Sequence, residues 1–423
     1  ARIASHLPGA SMTIEGGVPS DTLHILATNL QPQLLWPYSN DHKFLSYLFD
    51  TKNAKFFSTI FSVFARMELS ADEFNSLLAP WVSHTTSQYS SDDRKQQIAV
   101  AEMVSGSMQA LLHSPESKIF TELWEKVFLP IWTSIISGET GFGLDWPTAL
   151  RYALSGQSPS KYLERVLPLF YSCGILDTSH NQLPVLQKAK TSSSKLVRSL
   201  QCLRSCAIEA NWALNAKNSA TPLSQYLLDA CISHSSYPSS LIRVELAQIM
   251  SLMLSVTEQK FPHIPDVSDD NEQLSKQRDT ILLSLSNLFS SQNTAHFGEV
   301  LGGEETGKIL SYVLASLKDE SNFVQQVARS CLALIAQSQF PCASVRSLID
   351  LLEKNMKATD WHLRRAVLPV IQLLDFNHRF IMTADDHKRV HEICIKLLVD
   401  VQVEVRELAS ISLSSVLRGW DTE

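Results

Sequence analysis

Val405-Arg406-Glu407-Leu408-Ala409 is the last copy of a short pattern that recurs in the second half of the chain. Earlier copies begin at Ile242, Val324 and Leu363, so one unit is about 40 residues long and the first gap holds two units. HEAT and armadillo repeats have this length, and each of their units is a pair of helices that stacks on its neighbours. The pattern therefore predicts an all-α fold, an α-solenoid of HEAT/armadillo-like helix pairs.

Each position of the pattern has a physical reason. In the last copy, Asp400 stands five residues before Val405, at the turn between paired helices, where a carboxylate can cap the second helix. Val405 and Ala409 fall on one stripe of that helix, and the small alanine lets two helices approach closely. Arg406 can reach along the turn to an aspartate of a neighbouring turn. The residues that we expect to build these turns are Asp319, Val324, Ala328, Arg364, Asp400, Val405, Arg406 and Ala409.

Composition excludes several classes of function. The 423 residues carry a net charge of -7, which argues against direct binding of nucleic acid, because such binding needs a basic face. No run of 18 apolar residues occurs, so a membrane-spanning helix is not expected. The seven scattered cysteines indicate reduced thiols that pack as small apolar residues. These observations favour a protein-binding scaffold.

The helical pattern changes in regularity along the chain. We expect a tail or linker before residue 21, irregular helical repeats to residue 258 and an acidic flexible loop to residue 276, which has two prolines and no periodicity. Regular repeats follow. The predicted segments are 1–20, 21–258, 259–276, 277–418 and a truncated end at 419–423.

Two motifs partly match sites for small ligands. Gly302 to Lys308 nearly fits a phosphate-binding loop, but Ile309 replaces the hydroxyl that would hold magnesium, and a turn before a helix at 306–318 is the preferred interpretation. His387 and His391 have a metal-compatible spacing without a third ligand, and surface histidines are preferred. The sequence thus predicts no catalytic residue, no cofactor and no metal.

Two stretches resemble a known family. They are Trp361 to Val370 (WHLRRAVLPV) and Asp400 to Ala409 (DVQVEVRELA), and both look like the C-terminal HEAT repeats of the giant single-chain proteasome activators, proteasome activator complex subunit four and its fungal relatives. The block that begins with Trp361 makes the specific case, because the turn that begins with Asp400 is common to HEAT proteins.

The resemblance implies a dome-shaped solenoid that caps the 20S proteasome core particle and promotes ubiquitin-independent degradation, including that of acetylated histones. It also implies residence in the nucleus and cytoplasm and a role in DNA repair. The protein would be an activator and scaffold of the proteasome and not an enzyme itself.

Two features of the family do not match this sequence. Relatives end in a hydrophobic-Tyr-any tail that docks on the core particle, whereas this chain ends Gly419-Trp420-Asp421-Thr422-Glu423, so a fragment of a longer protein is expected. Relatives also place an Asn-Phe pair for acetyl-lysine binding where Gly419-Trp420 stand here. Trp420 can supply the aromatic wall, but the amide is absent, so acetyl-lysine binding is not expected.

Two alternatives stay open at the level of sequence. The same solenoid could serve another cargo, as in a transport receptor or a phosphatase scaffold. An enzyme that binds nucleotide through Lys308 is the alternative from a different class.

Overall fold

All regular structure among the residues that the structure describes is helical. The computed structural model describes residues 48–65, 71–114, 117–138, 145–156, 159–177, 183–187, 192–209, 223–256, 272–290 and 303–418. The chain divides into two compact units, Ala1–Tyr162 and Leu163–Glu423, and each is described separately. The sequence predicted a change in regularity near residues 259–276, and gave no sign of a division at residue 162.

The first unit is built on two crossing helices, α1 (Thr51–Phe64) and α3 (Arg94–Leu112). Helix α3 begins at Arg94, because the Asp93 carboxylate accepts a hydrogen bond from the Lys95 amide at 2.9 Å. The other helices of this unit are α2 (Ala71–Gln88), α4 (Lys118–Leu123), α5 (Leu129–Ser137) and α6 (Asp145–Leu154).

Gly106 explains how closely α1 and α3 can approach. A Cβ atom at this position would lie 2.0 Å from the Ala54 carbonyl oxygen and 2.9 Å from the Phe57 Cβ. Only a residue without a side chain fits there. The core around this crossing is aromatic, and the ring centroids of Trp132 and Trp146 meet edge to face at 5.6 Å.

A π-helical turn, Trp124–Phe128, separates α4 from α5. Its backbone bond runs from the Leu129 amide to the Trp124 carbonyl. Pro130 follows directly at the start of α5. The α-helical hydrogen bonds are thus interrupted just before this proline, which itself has no N–H to donate.

The second unit contains the stacked helix pairs. The helices are α7 (Pro159–Ser172, which starts in the first unit), α8 (Pro184–Gln187), α9 (Ser193–Glu209), α10 (Leu223–Ser233), α11 (Ser240–Val256), α12 (Glu272–Ser290), α13 (Gly303–Ser316), α14 (Asn322–Gln337), α15 (Cys342–Asn355), α16 (Trp361–His378), α17 (Ala384–Leu397) and α18 (Val403–Arg418).

These helices form two layers. Helices α11, α12, α14, α16 and α18 contact one another in this order and make the layer that we call the arginine layer. Helices α13, α15 and α17 make the second layer in the same way. Each helix of the second layer also packs on the arginine-layer helix that follows it in sequence, so the arrangement is an α-solenoid, as the repeat predicted.

Helix boundaries correct two predictions. Helix α12 begins at Glu272, so the last residues of the predicted acidic loop 259–276 are helical, while residues 259–271 lie outside the described part. Helix α13 begins at Gly303 and not near residue 306. The segments 1–20 and 419–423 are also outside the described residues, so those predictions are untested.

Candidate functional site

The repeat turns of the arginine layer are joined by hydrogen bonds between arginine and aspartate side chains. Arg364 on α16 donates from Nε to Asp400 Oδ2 at 2.6 Å and from Nη2 to Asp400 Oδ1 at 2.9 Å. Its Nη1 also donates to the carbonyls of Ala358 and Thr359, both at 2.8 Å. One guanidinium therefore closes its own turn and binds the carboxylate of the next turn.

The Asp400 carboxylate has a second task. Its Oδ1 accepts a hydrogen bond from the Gln402 amide at 2.9 Å, one residue before α18 begins at Val403. Asp319 makes the same contact with the Ser321 amide at 2.8 Å. Both aspartates thus shape the turn that leads into the helix, as an Asx-turn, where the sequence predicted a cap of the helix itself. The hydrogen bond from Arg364 holds the pKa of Asp400 below its usual value.

A second pair has the same geometry. Arg243 on α11 donates from Nη1 to the carbonyls of Tyr237 and Pro238, at 3.0 and 3.2 Å, and its Nη2 lies 3.4 Å from Asp279 Oδ2. Burial outweighs this longer contact and raises the pKa of Asp279. The pair is therefore weaker than Arg364–Asp400.

A third pair comes from the repeat unit between Ile242 and Val324, which carries no copy of the sequence pattern. Asp279 is preceded by Arg278, which binds the carboxylate of Asp319 in the next turn. Of these two adjacent residues of α12, Asp279 therefore contacts the preceding helix of the layer and Arg278 contacts the turn before the following helix. We call the contacts Arg243–Asp279, Arg278–Asp319 and Arg364–Asp400 the arginine–carboxylate ladder. The contact Arg278–Asp319 was not predicted from the sequence, because Arg278 and Asp279 do not belong to a copy of the pattern that Val405 to Ala409 represents.

The ladder is interrupted between helices α14 and α16, because α14 has no arginine at the position equivalent to Arg364. Gln325 occupies the position equivalent to Arg364 and donates only to the Asp319 carbonyl, at 2.8 Å. Asp360, in the next turn, lies 4.0 Å from the Lys318 ammonium, which is a weak contact. Arg406 binds the carbonyls of Asp400 and Val401, at 2.6 and 2.9 Å, in the same manner as Arg364.

The apolar positions of the pattern face the core. Val324, Ala328, Val405 and Ala409 are all buried. Trp420 lies outside the described residues, so its role stays a prediction.

The two motifs that partly match ligand sites lie outside the repeat turns. Residues 303–308 are within helix α13, so this described part of the motif is helical and not the extended loop that cradles phosphate. His387 is buried, and the prediction of a surface residue was wrong for it. Its Nδ1 lies 3.1 Å from Asp375 Oδ1 and its Nε2 lies 3.3 Å from the Arg379 carbonyl.

Two thiols on helix α9 are buried in the core. Burial raises the pKa of Cys202 and of Cys206 to about 12, so both stay protonated and unreactive. Within the described residues there is no group of three or more His, Cys, Asp or Glu side chains that could hold a metal ion. In the same part of the chain, none of the helices combines the length and apolar character that crossing a bilayer requires.

Comparison with known proteins shows to what the chain is similar. Over 382 residues it is 22% identical to proteasome activator subunit 4 of Arabidopsis thaliana, an alignment that covers 78% of this chain and 20% of that protein. Over 113 residues it is 29% identical to proteasome activator complex subunit 4 of Xenopus laevis and of Homo sapiens, with 26% of this chain and 6% of each relative covered. The predicted resemblance to these activators is confirmed, and the chain spans about a fifth of the plant relative.

Other comparisons add less. No family model matches the chain. Among solved structures, importin beta aligns with 94% of this chain and 48% of its own at 12% identity and a TM-score of 0.42. She4p aligns with 96% of this chain and 57% of its own at 14% identity and a TM-score of 0.24.

Proposed function

We propose that this homologue of proteasome activator subunit 4 is a non-catalytic scaffold, a helical-repeat segment of a proteasome activator. The observation that carries the proposal is the similarity to the plant activator, which extends over most of the chain and is not confined to one repeat. The repeated turns support it, because they use their charged groups to bind one another and leave none arranged for catalysis.

The mechanism follows from the ladder. Arg364 fixes the offset between two successive helices of the arginine layer through two hydrogen bonds to one carboxylate. The second layer is linked similarly, since Arg389 on α17 donates to Glu353 on α15 at 2.9 Å. A wall whose layers are both cross-linked resists bending, and a stiff wall is suited to act by steric contact with a large partner.

The partner that we propose is the 20S proteasome core particle, bound by the full natural gene product. The process would be ubiquitin-independent degradation, with acetylated histones among the substrates. Residence in the nucleus and cytoplasm and a role in DNA repair form part of the same proposal. Their support is the family resemblance.

Native gel electrophoresis tests the partner. Purified 20S core from the source organism is mixed with the full natural gene product, and each gel is stained for protein and overlaid with a fluorogenic peptide. We expect a new fluorescent band of lower mobility that contains both components. A core particle that keeps its mobility at micromolar concentrations of the gene product would contradict the proposal.

A further inference from the structure

A groove lies on the surface of the arginine layer, on the second unit alone. Helices α14, α16 and α18 border it, and its volume is about 350 Å³. Its floor is apolar, because Leu332, Ala336 and Val370 lie beneath it. This volume is within the range of about 300–1,000 Å³ that ligand pockets in proteins have.

The apolar surface continues beyond the groove. On α16, Pro369 and Leu373 line the groove, and Phe376 follows on the same helix face with 76% of its surface exposed. On α18, Leu408 lines the groove and Ile411, one turn later, is 61% exposed. A contiguous apolar patch of this kind marks an interaction surface.

Cationic groups stand beside this surface. Arg329 and Arg365 both line the groove and both are exposed, and none of the residues that line it carries a carboxylate. Arg329 donates to the neutral Gln325 side chain at 3.3 Å. The described part of the chain gives Arg365 no ion pair, in contrast to its neighbour Arg364.

The backbone contributes an acceptor at the same place. Pro369 has no N–H, so the carbonyl of Arg365, one turn earlier in α16, lacks its usual helical donor. An extended peptide could donate an N–H to this carbonyl while its carboxylates bind the guanidinium groups.

We propose that this groove docks an acidic, extended segment of a partner protein that inserts an apolar side chain between α14 and α16. An acidic segment complements the charge of the two arginines, and its apolar side chain matches the apolar floor of the groove. Nucleic acid fits less well, because two guanidinium groups neutralise few phosphates and the groove has an apolar floor. The inference is independent of binding to the proteasome core.

Selection from a displayed library of random peptides on the 423-residue chain tests the proposal. We expect selected peptides to combine Asp or Glu with Leu, Ile or Phe. Fluorescence anisotropy of a labelled selected peptide should then show binding that weakens as salt is added. Arg365→Glu, which reverses a charge, and Ala333→Trp, which fills the groove, should each weaken binding by about tenfold or more.

A matched control is Lys388→Glu, an equal change of charge at an exposed position on helix α17 of the second layer. It should leave binding unchanged, and circular dichroism should show that all three variants are folded. Recovery of no peptide, peptides without acidic residues, or equal binding by the Arg365→Glu variant would overturn the proposal. Displacement of the peptide by single-stranded DNA, or loss of a dimer of the chain in the groove variants, would also overturn it.

Discussion

The guanidinium of Arg364 makes two hydrogen bonds to the carboxylate of Asp400, which lies 36 residues further along the chain. The same guanidinium holds two carbonyls of its own turn. A single side chain therefore connects two consecutive repeats at a fixed offset. This contact is the physical reason why arginine recurs at the second position of the repeated sequence pattern.

Replacement of Arg364 by alanine should destabilise the second unit by about 1–3 kcal/mol, because it leaves the largely buried Asp400 carboxylate without its cation. Replacement of the adjacent Arg365 by alanine should change the free energy of unfolding by less than about 0.5 kcal/mol, since Arg365 is exposed. Urea unfolding followed by circular dichroism compares the two variants. Equal effects would show that the ladder contact contributes nothing.

Gly106→Ala should destabilise the first unit by about 1–3 kcal/mol, because its methyl group would overlap the Ala54 carbonyl and force α1 away from α3. Gly307→Ala is the matched control. Gly307 also lies in a helix, and a Cβ there meets no atom within 4 Å, so alanine should stabilise by about 0.5–1 kcal/mol. Thermal unfolding measures both changes, and shifts of the same sign would contradict this account.

His378 should make stability depend on pH. Its Nε2 accepts a hydrogen bond from the Phe340 amide at 2.7 Å, which requires the neutral ring, and burial lowers the pKa of His378 below 6.5. The unfolded chain then binds more protons than the folded one in that range, so this contribution is present above pH 6.5 and is lost as pH falls through the folded pKa. Urea titrations from pH 8 to pH 5 should show that wild type loses more stability than His378→Gln. Parallel curves would contradict the assignment.

Glu102 should act in the opposite direction. Its carboxylate is buried and accepts hydrogen bonds from the Asp50 amide at 2.8 Å and the Asn53 side chain at 3.0 Å. Desolvation nevertheless raises the pKa of Glu102 from 4.5 to about 7. The folded state then binds more protons, so the contribution is present below pH 4.5 and is lost as pH rises through about 7.

Glu102→Gln removes this titration and keeps an oxygen for the Asp50 amide. The variant should therefore gain stability relative to wild type between pH 4.5 and pH 8, as measured by thermal unfolding in matched buffers. A difference between variant and wild type that does not vary with pH would show that Glu102 does not titrate in this range.

The sequence predicted the helical layers well, because the period of about 40 residues and the apolar stripes depend on local spacing. The contacts of Arg278 and Asp279 were not predicted, because their partners, Asp319 and Arg243, are about 40 residues away in opposite directions. The start of α12 at Glu272 was also missed, because a run of carboxylates and polar residues looks the same in a loop and in a helix end.

The burial of His387 could not be read from the helix on which it lies. Its partner Asp375 belongs to the preceding helix and is buried as well, so only the packing of α16 on α17 brings the two together. The groove beside Arg365 was missed for the same reason. Its walls come from three helices whose exposed residues show no motif in sequence.

The most direct test of the proposed function is the rate at which latent 20S core hydrolyses a fluorogenic peptide. This rate is measured with and without the full natural gene product in molar excess. We predict that the rate rises with the concentration of the gene product until it saturates, and that the gene product alone hydrolyses nothing. An unchanged rate at saturating concentration, with core particles that respond to mild detergent, would contradict the proposal that this solenoid belongs to a proteasome activator.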